Sequence, residues 1–240
     1  MRYWYDCEFL EDGRTIDLIS IGIVAEDNRE LYLVNEKAGD SSRKLYRRIL
    51  HNSWLMQNVV PHLPLNEKSK VGRGGLSDAY FWFDSDSTAV VSLDYIRRAI
   101  REFIQPGPDH PGDIPDSVEL WAWCGAYDHV ALMQLFGTMM NKPSWLPSYT
   151  HDFQHLLDER GIRDDQLPIE LDQHNALADA RHLRFMMQHL DEIEGAYSQR
   201  GVIGCGKGAP HPSHDWGVSP GGPVSNRCPG VKRRMMVAPE

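Results

Sequence analysis

The sequence predicts an α/β fold: a mixed central sheet of three antiparallel strands followed by parallel ones, flanked by helices. Three observations carry that prediction. The first 35 residues hold three closely spaced strand-like runs; a segment with helical apolar spacing covers Val91 to Ile104; and a fourth strand-like run, Val118 to Gly125, leads straight into another helical pattern. With 240 residues, 27.4 kDa and 41% hydrophobic side chains, the chain has enough apolar surface for a sizeable core, which excludes wholesale disorder.

In order, "RYWYDCEF" (Arg2 to Phe9) is an aromatic-rich strand. "IDLISIGIVA" (Ile16 to Ala25) is almost entirely apolar and β-branched, as a strand buried on both faces would be. "ELYLV" (Glu30 to Val34) is the third strand. The links "EDGRT" and "EDNR" are short and carry turn-forming Asp, Gly and Asn, which predicts an antiparallel meander. A helix is expected over Ser41 to Leu50, and Pro61 to Thr88, with its "KVGRGG", reads as a long, partly irregular loop. In Val91 to Ile104 the apolar positions Leu93, Ile96, Ile100, Phe103 and Ile104 share one helical face, and Ser92 can cap it. Further helices are expected after Gly125 ("AYDHVALMQLFG"), over Asp152 to Arg160 and over Ala176 to Glu194. This succession fits a ribonuclease H-like architecture.

No run of about 18 apolar residues is present, so no membrane span is expected. The N-terminus lacks a signal-peptide pattern and four scattered cysteines do not make a disulfide framework, so the expected setting is cytoplasmic. The net charge of −9 does not exclude nucleic acid, because carboxylates holding divalent cations reverse the local sign. Residues 200–240 carry six Lys and Arg against two Asp and Glu, a net of +4 that leaves −13 for the rest.

Three features carry chemistry. Asp6 and Glu8 lie two apart on the first strand, hence on one face with Trp4. Paired carboxylates repel, and either a divalent cation or exposure to solvent would compensate. Asp128 opens the helix after the fourth strand, where open α/β sheets form their crevices; an acidic residue there also simply suits a helix N-terminus. In "HNALADARHLRF", His174 and Asp179 are five apart, so a helix starting near Asn175 or Ala176 leaves His174 on the preceding loop, able to swing towards Asp179. Alternatively, Asp179 could pair with Arg181 or Arg184 on the surface.

Taken in this order, Asp6, Glu8, Asp128, His174 and Asp179 resemble the five motif positions of the DEDDh 3′-to-5′ exonucleases. "RYWYDCEFLEDGRTIDLISIGIVAEDNRELY", "ELWAWCGAYDHVALMQLFG" and "HNALADAR" resemble more closely the polyadenylate-specific exoribonuclease AS (RNase AS) family, over about residues 1–195. The resemblance implies an exonuclease domain over 1–198, with an insertion at about 61–88. It implies two Mg²⁺ ions, replaceable by Mn²⁺, held by Asp6, Glu8, Asp128 and Asp179, His174 as general base, single-stranded RNA as substrate with a preference for polyadenylate, and a homodimer. An imidazole of ordinary pKa, ~6.5, suits a base near neutrality. Phe9, Leu18, Ser20, Trp123 and Tyr127 are the implied substrate contacts, although Leu18 and Trp123 could equally be core. A DNA-directed DEDDh exonuclease and a catalytically silent nucleic-acid-binding module are the competing readings.

Residues 199–240, with 8 Gly and 6 Pro between 200 and 240, read as a disordered basic tail. Its Cys205, His211, His214 and Cys228 match no usual zinc spacing, and "VKRRMM" could hold RNA phosphates or be ordinary solvated charge.

Overall fold

The first strand, β1 (Arg2–Glu11), organises the molecule because its side chains alternate between two differently used faces. Tyr3, Tyr5 and Cys7 enter one apolar core, while Trp4 enters another on the face that also carries Asp6 and Glu8. The computed structural model describes residues 1–71, 79–104, 118–163, 167–168 and 174–200. Within it, β2 (Ile16–Ala25) pairs antiparallel with β1, and β3 (Glu30–Asn35) antiparallel with β2. Three short strands add in parallel: β4 (Val90–Val91) on β3, β5 (Glu119–Ala122) on β1, and β6 (His151–Asp152) on β5. The sheet order is β4-β3-β2-β1-β5-β6, the predicted mixed α/β arrangement.

The two hairpin links behave as their residues dictate. Gly13 takes a left-handed φ of 76°, and Asp12 Oδ1 accepts from the backbone N–H of Arg14 (3.0 Å) and Thr15 (2.8 Å). Asn28 takes φ 72° in the second link.

Helices cover both faces. On the Tyr3/Tyr5/Cys7 face, α3 (Leu93–Ile104) buries Ile96, Ile100 and Ile104, and α4 (Ala126–Gln134) buries Ala131 and Leu132. Ser92 caps α3 by accepting from Tyr95 N at 3.3 Å. On the Trp4 face, α5 (Phe153–Arg160) and α6 (Ala176–Arg200) close over Trp4 with Phe153, Leu157, Leu183, Met186, Met187 and Leu190. Arg181 of α6 donates to Glu30 Oε1 at 2.8 Å and Arg184 to Asn28 Oδ1 at 2.6 Å, so neither is taken up by Asp179. A third cluster, around Ile19, Val34, Tyr46, Ile49, Leu55, Met56 and Phe81, fastens α1 (Lys44–Leu50), α2 (Ser53–Asn58) and the segment after them to the β2–β3 side.

Several boundaries differ from expectation. β1 runs on to Glu11, and β5 stops at Ala122 because the chain turns at Cys124, whose φ is 50°. α1 begins at Lys44 rather than Ser41, and α2 follows it unpredicted. Val91 belongs to β4, and α6 continues past Glu194 to Arg200. Among the described residues of the expected, partly irregular loop at 61–88, Leu65 bridges Phe83, Lys70 bridges Tyr80, and Phe81 is buried. Residues 72–78 and 105–117 lie outside the described residues, as does 201–240 with its four metal-ligand candidates. No helix among the described residues is long and apolar enough to cross a membrane.

Two half-buried histidines tie this packing to pH. Burial pulls the pKa of His182, on α6, and of His129, on α4, below the ordinary imidazole value. A group with a depressed folded pKa binds more protons when unfolded, so its stabilisation is complete above ~6.5 and is lost as pH falls below it. Thermal melts are therefore expected to show a lower Tm at pH 5.5 than at pH 7.5, with His182→Gln narrowing the gap. An unchanged gap in that variant would assign the acid sensitivity elsewhere.

Candidate active site

Parallel pairing between β1 and β5 ends at Trp4 and Trp121, and beyond it the backbone of β1 has no strand neighbour on that side among the described residues. Asp128 takes up the vacated donor: its Oδ1 accepts from Cys7 N–H at 2.9 Å. The carboxylate, only 6% exposed, is thereby fixed against the β1 backbone one residue from each of Asp6 and Glu8. The turn that carries it is strapped from below. Asp152 accepts from Cys124 N (3.2 Å) and Gly125 N (3.0 Å) while capping α5 through Gln154 N (2.9 Å). Burial, reinforced by Asp128, Asp6 and Glu8, pushes the Cys7 thiol well above its ordinary pKa, so Cys7 is an inert core residue.

The other wall is the start of α6. Asn175 is its N-cap: Oδ1 accepts from Ala178 N at 3.1 Å, and Nδ2 donates to the carbonyl of His62 at 3.3 Å. His174 precedes the cap with φ 71°, a left-handed backbone costly for most residues. That conformation is held by its own N–H, which donates to Asp179 Oδ2 at 3.0 Å, and its ring meets the edge of Trp54 of α2, centroids 4.9 Å apart.

Gly22 lets this wall approach. It pairs with Asp6 across the sheet, and a Cβ there would lie 2.3 Å from Leu177 N and 2.4 Å from the carbonyl of Ala176. The first turn of α6 therefore rests directly on the β2 backbone. In consequence one ligand-capable atom from each of Glu8, His174 and Asp179 lies within 4.8 Å of the others.

Of the five motif residues, Glu8, His174 and Asp179 thus converge, Asp6 sits half-buried on the same face of β1, and Asp128 is anchored to the intervening Cys7. Two carboxylates at that spacing repel by roughly 3–4 kcal/mol at an effective dielectric of ~20. Glu8 is 7% exposed, so water screens it poorly. An imidazolium could offset one negative charge; a divalent cation offsets two, and this oxygen-rich donor set fits a hard ion such as Mg²⁺ or Mn²⁺.

The expected substrate contacts divide. Phe9 and Tyr127 stack with centroids 6.0 Å apart and planes 15° apart, Tyr127 being exposed. Trp123 is partly buried against Phe153. Leu18 belongs to the core on the face opposite the carboxylates, and Ser20, paired with Glu8, has no exposed surface. Ser20 shares the face of Glu8, whereas Leu18 packs beneath the sheet, and both are buried.

A family model described as the 3′-5′ exoribonuclease Rv2179c-like domain matches residues 1–190. The chain belongs to that family. It is 40% identical over 186 residues to each of two Mycobacterium tuberculosis proteins named 3′-5′ exoribonuclease, Rv2179c of strain H37Rv and MT2234.1 of strain CDC 1551, a span that covers 75% of this chain and 88% of each relative. Family membership makes the protein an enzyme of the 3′-5′ exoribonuclease class, and all five motif residues fall inside the matched segment.

Sequence reasoning missed the residues that assemble this site rather than act in it: Gly22, Asp152, Asn175 and Trp54. Asn175 had a readable signal, an Asn directly before a helix. Gly22 had none, since a glycine in a strand does not reveal which backbone approaches it.

Proposed function

We propose that the protein is a metal-dependent, DEDDh-type 3′-to-5′ exoribonuclease of ribonuclease H-like fold. It removes nucleoside 5′-monophosphates from the 3′-hydroxyl end of single-stranded RNA, with a preference for polyadenylate and in a cytoplasmic setting. The observation that carries this reading is the convergence of Glu8, His174 and Asp179 on the strand face that bears Asp6. Asp6, Glu8, Asp128 and Asp179 would hold two Mg²⁺ or Mn²⁺ ions, which when bound supply Lewis acidity to the attacking and leaving oxygens of an in-line phosphoryl displacement.

The chain's own residues do the rest. Glu8 and Asp179 present their carboxylates from opposite walls, and Asp128 keeps its orientation through Cys7 N–H. His174, held by its backbone to Asp179, takes a proton from water on a ring nitrogen as the water oxygen bonds to phosphorus and the P–O3′ bond breaks. Phe9 and Tyr127 offer an aromatic surface beside Asp128 for the terminal base. The adenylate preference and a homodimeric state rest on the likeness to the RNase AS family.

The test uses 5′-labelled oligo(rA) and oligo(dA) with Mg²⁺, with EDTA, and with Asp6→Ala. The expected result is a ladder shortening from the 3′ end of the RNA alone, absent in EDTA and in the variant. Equal digestion of DNA would make it a general DEDDh exonuclease. Binding without digestion in Mg²⁺, and none when Mn²⁺ replaces it, would make it a silent binding module.

A further inference from the structure

The segment that follows α2 carries a surface that the catalytic reading does not use. It leaves the active-site wall at His62, whose carbonyl holds Asn175, and returns through Tyr80–Phe83. Strand-like alternation splits its aromatics: Phe81 is buried against Tyr46, centroids 4.9 Å apart, while Tyr80 and Trp82 are each 38% exposed. The outward pair is ordered, with ring planes 7° apart and centroids 5.6 Å apart. Lys70, bridged to Tyr80 across the segment, places its Nζ 5.6 Å from the centre of the Tyr80 ring. The backbone beneath Trp82 is pinned on both sides: Ser69 Oγ donates to its carbonyl (3.1 Å) and accepts from its N–H (3.2 Å), and Asn66 N–H donates to the same carbonyl (2.9 Å).

We propose that Tyr80, Trp82 and Lys70 form a platform that holds single-stranded RNA upstream of the nucleotide being removed. The inference rests on the exoribonuclease reading above. Two parallel aromatic faces beside a cation suit an unpaired polynucleotide, because every base offers a π-face and every linkage a negative charge. Lys68, exposed on the same segment, adds a second cation; Glu67 opposes it, and Glu36, Asp40 and Asp84 line the hollow that Trp82 borders. Stacking therefore carries most of the attraction, and the salt dependence contributed by this surface is shallow. The platform lies on the segment that leaves the active-site wall at His62, whose carbonyl holds Asn175, and the proposed path of the RNA runs from that wall across it.

The experiment compares the full-length protein with Tyr80→Ala/Trp82→Ala and with Tyr80→Phe/Trp82→Phe. One readout is Mg²⁺-dependent digestion of 5′-labelled oligo(rA) of about 4 and about 20 nucleotides, bracketing the roughly 4–16 nucleotides that single-strand-binding surfaces of this kind span. The other is fluorescence anisotropy of the longer oligomer in EDTA. The alanine pair is expected to raise KM and Kd for the long RNA about tenfold, to leave the short RNA and kcat unchanged, and to be rescued by the phenylalanine pair. Unchanged affinity for the long RNA would overturn the platform, as would equal losses on both lengths. A shift in sedimentation with RNA affinity intact would instead make the surface a contact between two copies of the chain, also overturning it. Should the wild-type protein fail to cut either RNA, the catalytic reading fails, while loss of anisotropy in the alanine pair alone would still support the platform.

Discussion

His174→Asn is expected to lower kcat by about 10²- to 10⁴-fold, the usual contribution of a positioned general base, with little effect on folding. The choice of asparagine follows from the backbone. His174 sits at φ 71°, which asparagine tolerates and which would cost alanine about 1–2 kcal/mol. One contact between this residue and Asp179 runs through the backbone N–H, at 3.0 Å, and that contact survives the substitution. Asp179 therefore stays oriented, and Mg²⁺ or Mn²⁺ binding measured by calorimetry should match the wild type. Asp179→Asn is expected to behave differently, weakening metal binding and turnover together, because it removes a charge from the convergent trio. Wild-type turnover by His174→Asn at pH 7 would remove the imidazole from the chemistry and leave it a wall residue packed on Trp54.

The contrast between those two variants also marks how far the sequence could be read. Period-two alternation was enough to put Asp6 and Glu8 on one face of β1, because a strand's side-chain direction is fixed by its own backbone. The helix start at Ala176 put His174 on the preceding turn for a similar local reason. The apolar, β-branched run gave β2, since burial on both faces leaves a continuous apolar signature. What stayed hidden was non-local or too short. β4 and β6 are two residues each, below any periodic signal, and α2 spans only six. In the 61–88 segment Phe81 and Phe83 pack inward, yet the neighbouring "KVGRGG" reads as loop and drowns a four-residue alternation. The orientation of Asp128 depends on a strand edge left open by β5, and the distance from Glu8 to Asp179 depends on what rests upon Gly22. Neither dependence is written in the spacing of the residues concerned.

Gly22 turns that last dependence into a measurement. A methyl group added there meets backbone atoms of Ala176 and Leu177 at 2.3–2.4 Å, against an ordinary contact distance of 3.4–4 Å. Backbone in the capped first turn of a helix cannot rotate away, so the start of α6 must lift by about 1 Å. That turn carries Asp179 and fixes His174, whereas Glu8 stays on the sheet, so the convergent trio opens. A misplacement of about 1 Å costs roughly 10² in rate, and overpacking of this kind costs about 1–3 kcal/mol of stability. Gly22→Ala is thus expected to lose about 100-fold in kcat together with several degrees of Tm. Gly13→Ala separates the two effects. Its φ of 76° makes alanine costly, but a Cβ there meets nothing within 4 Å. It should lower Tm while leaving kcat within about twofold. If both glycine variants lost activity in proportion to stability, the close approach at Gly22 would be a packing feature without a role in chemistry. A rate loss confined to Gly22→Ala would mean that the site is assembled by the seat of α6 on a bare stretch of β2, with the carboxylates meeting only because that stretch has no side chain.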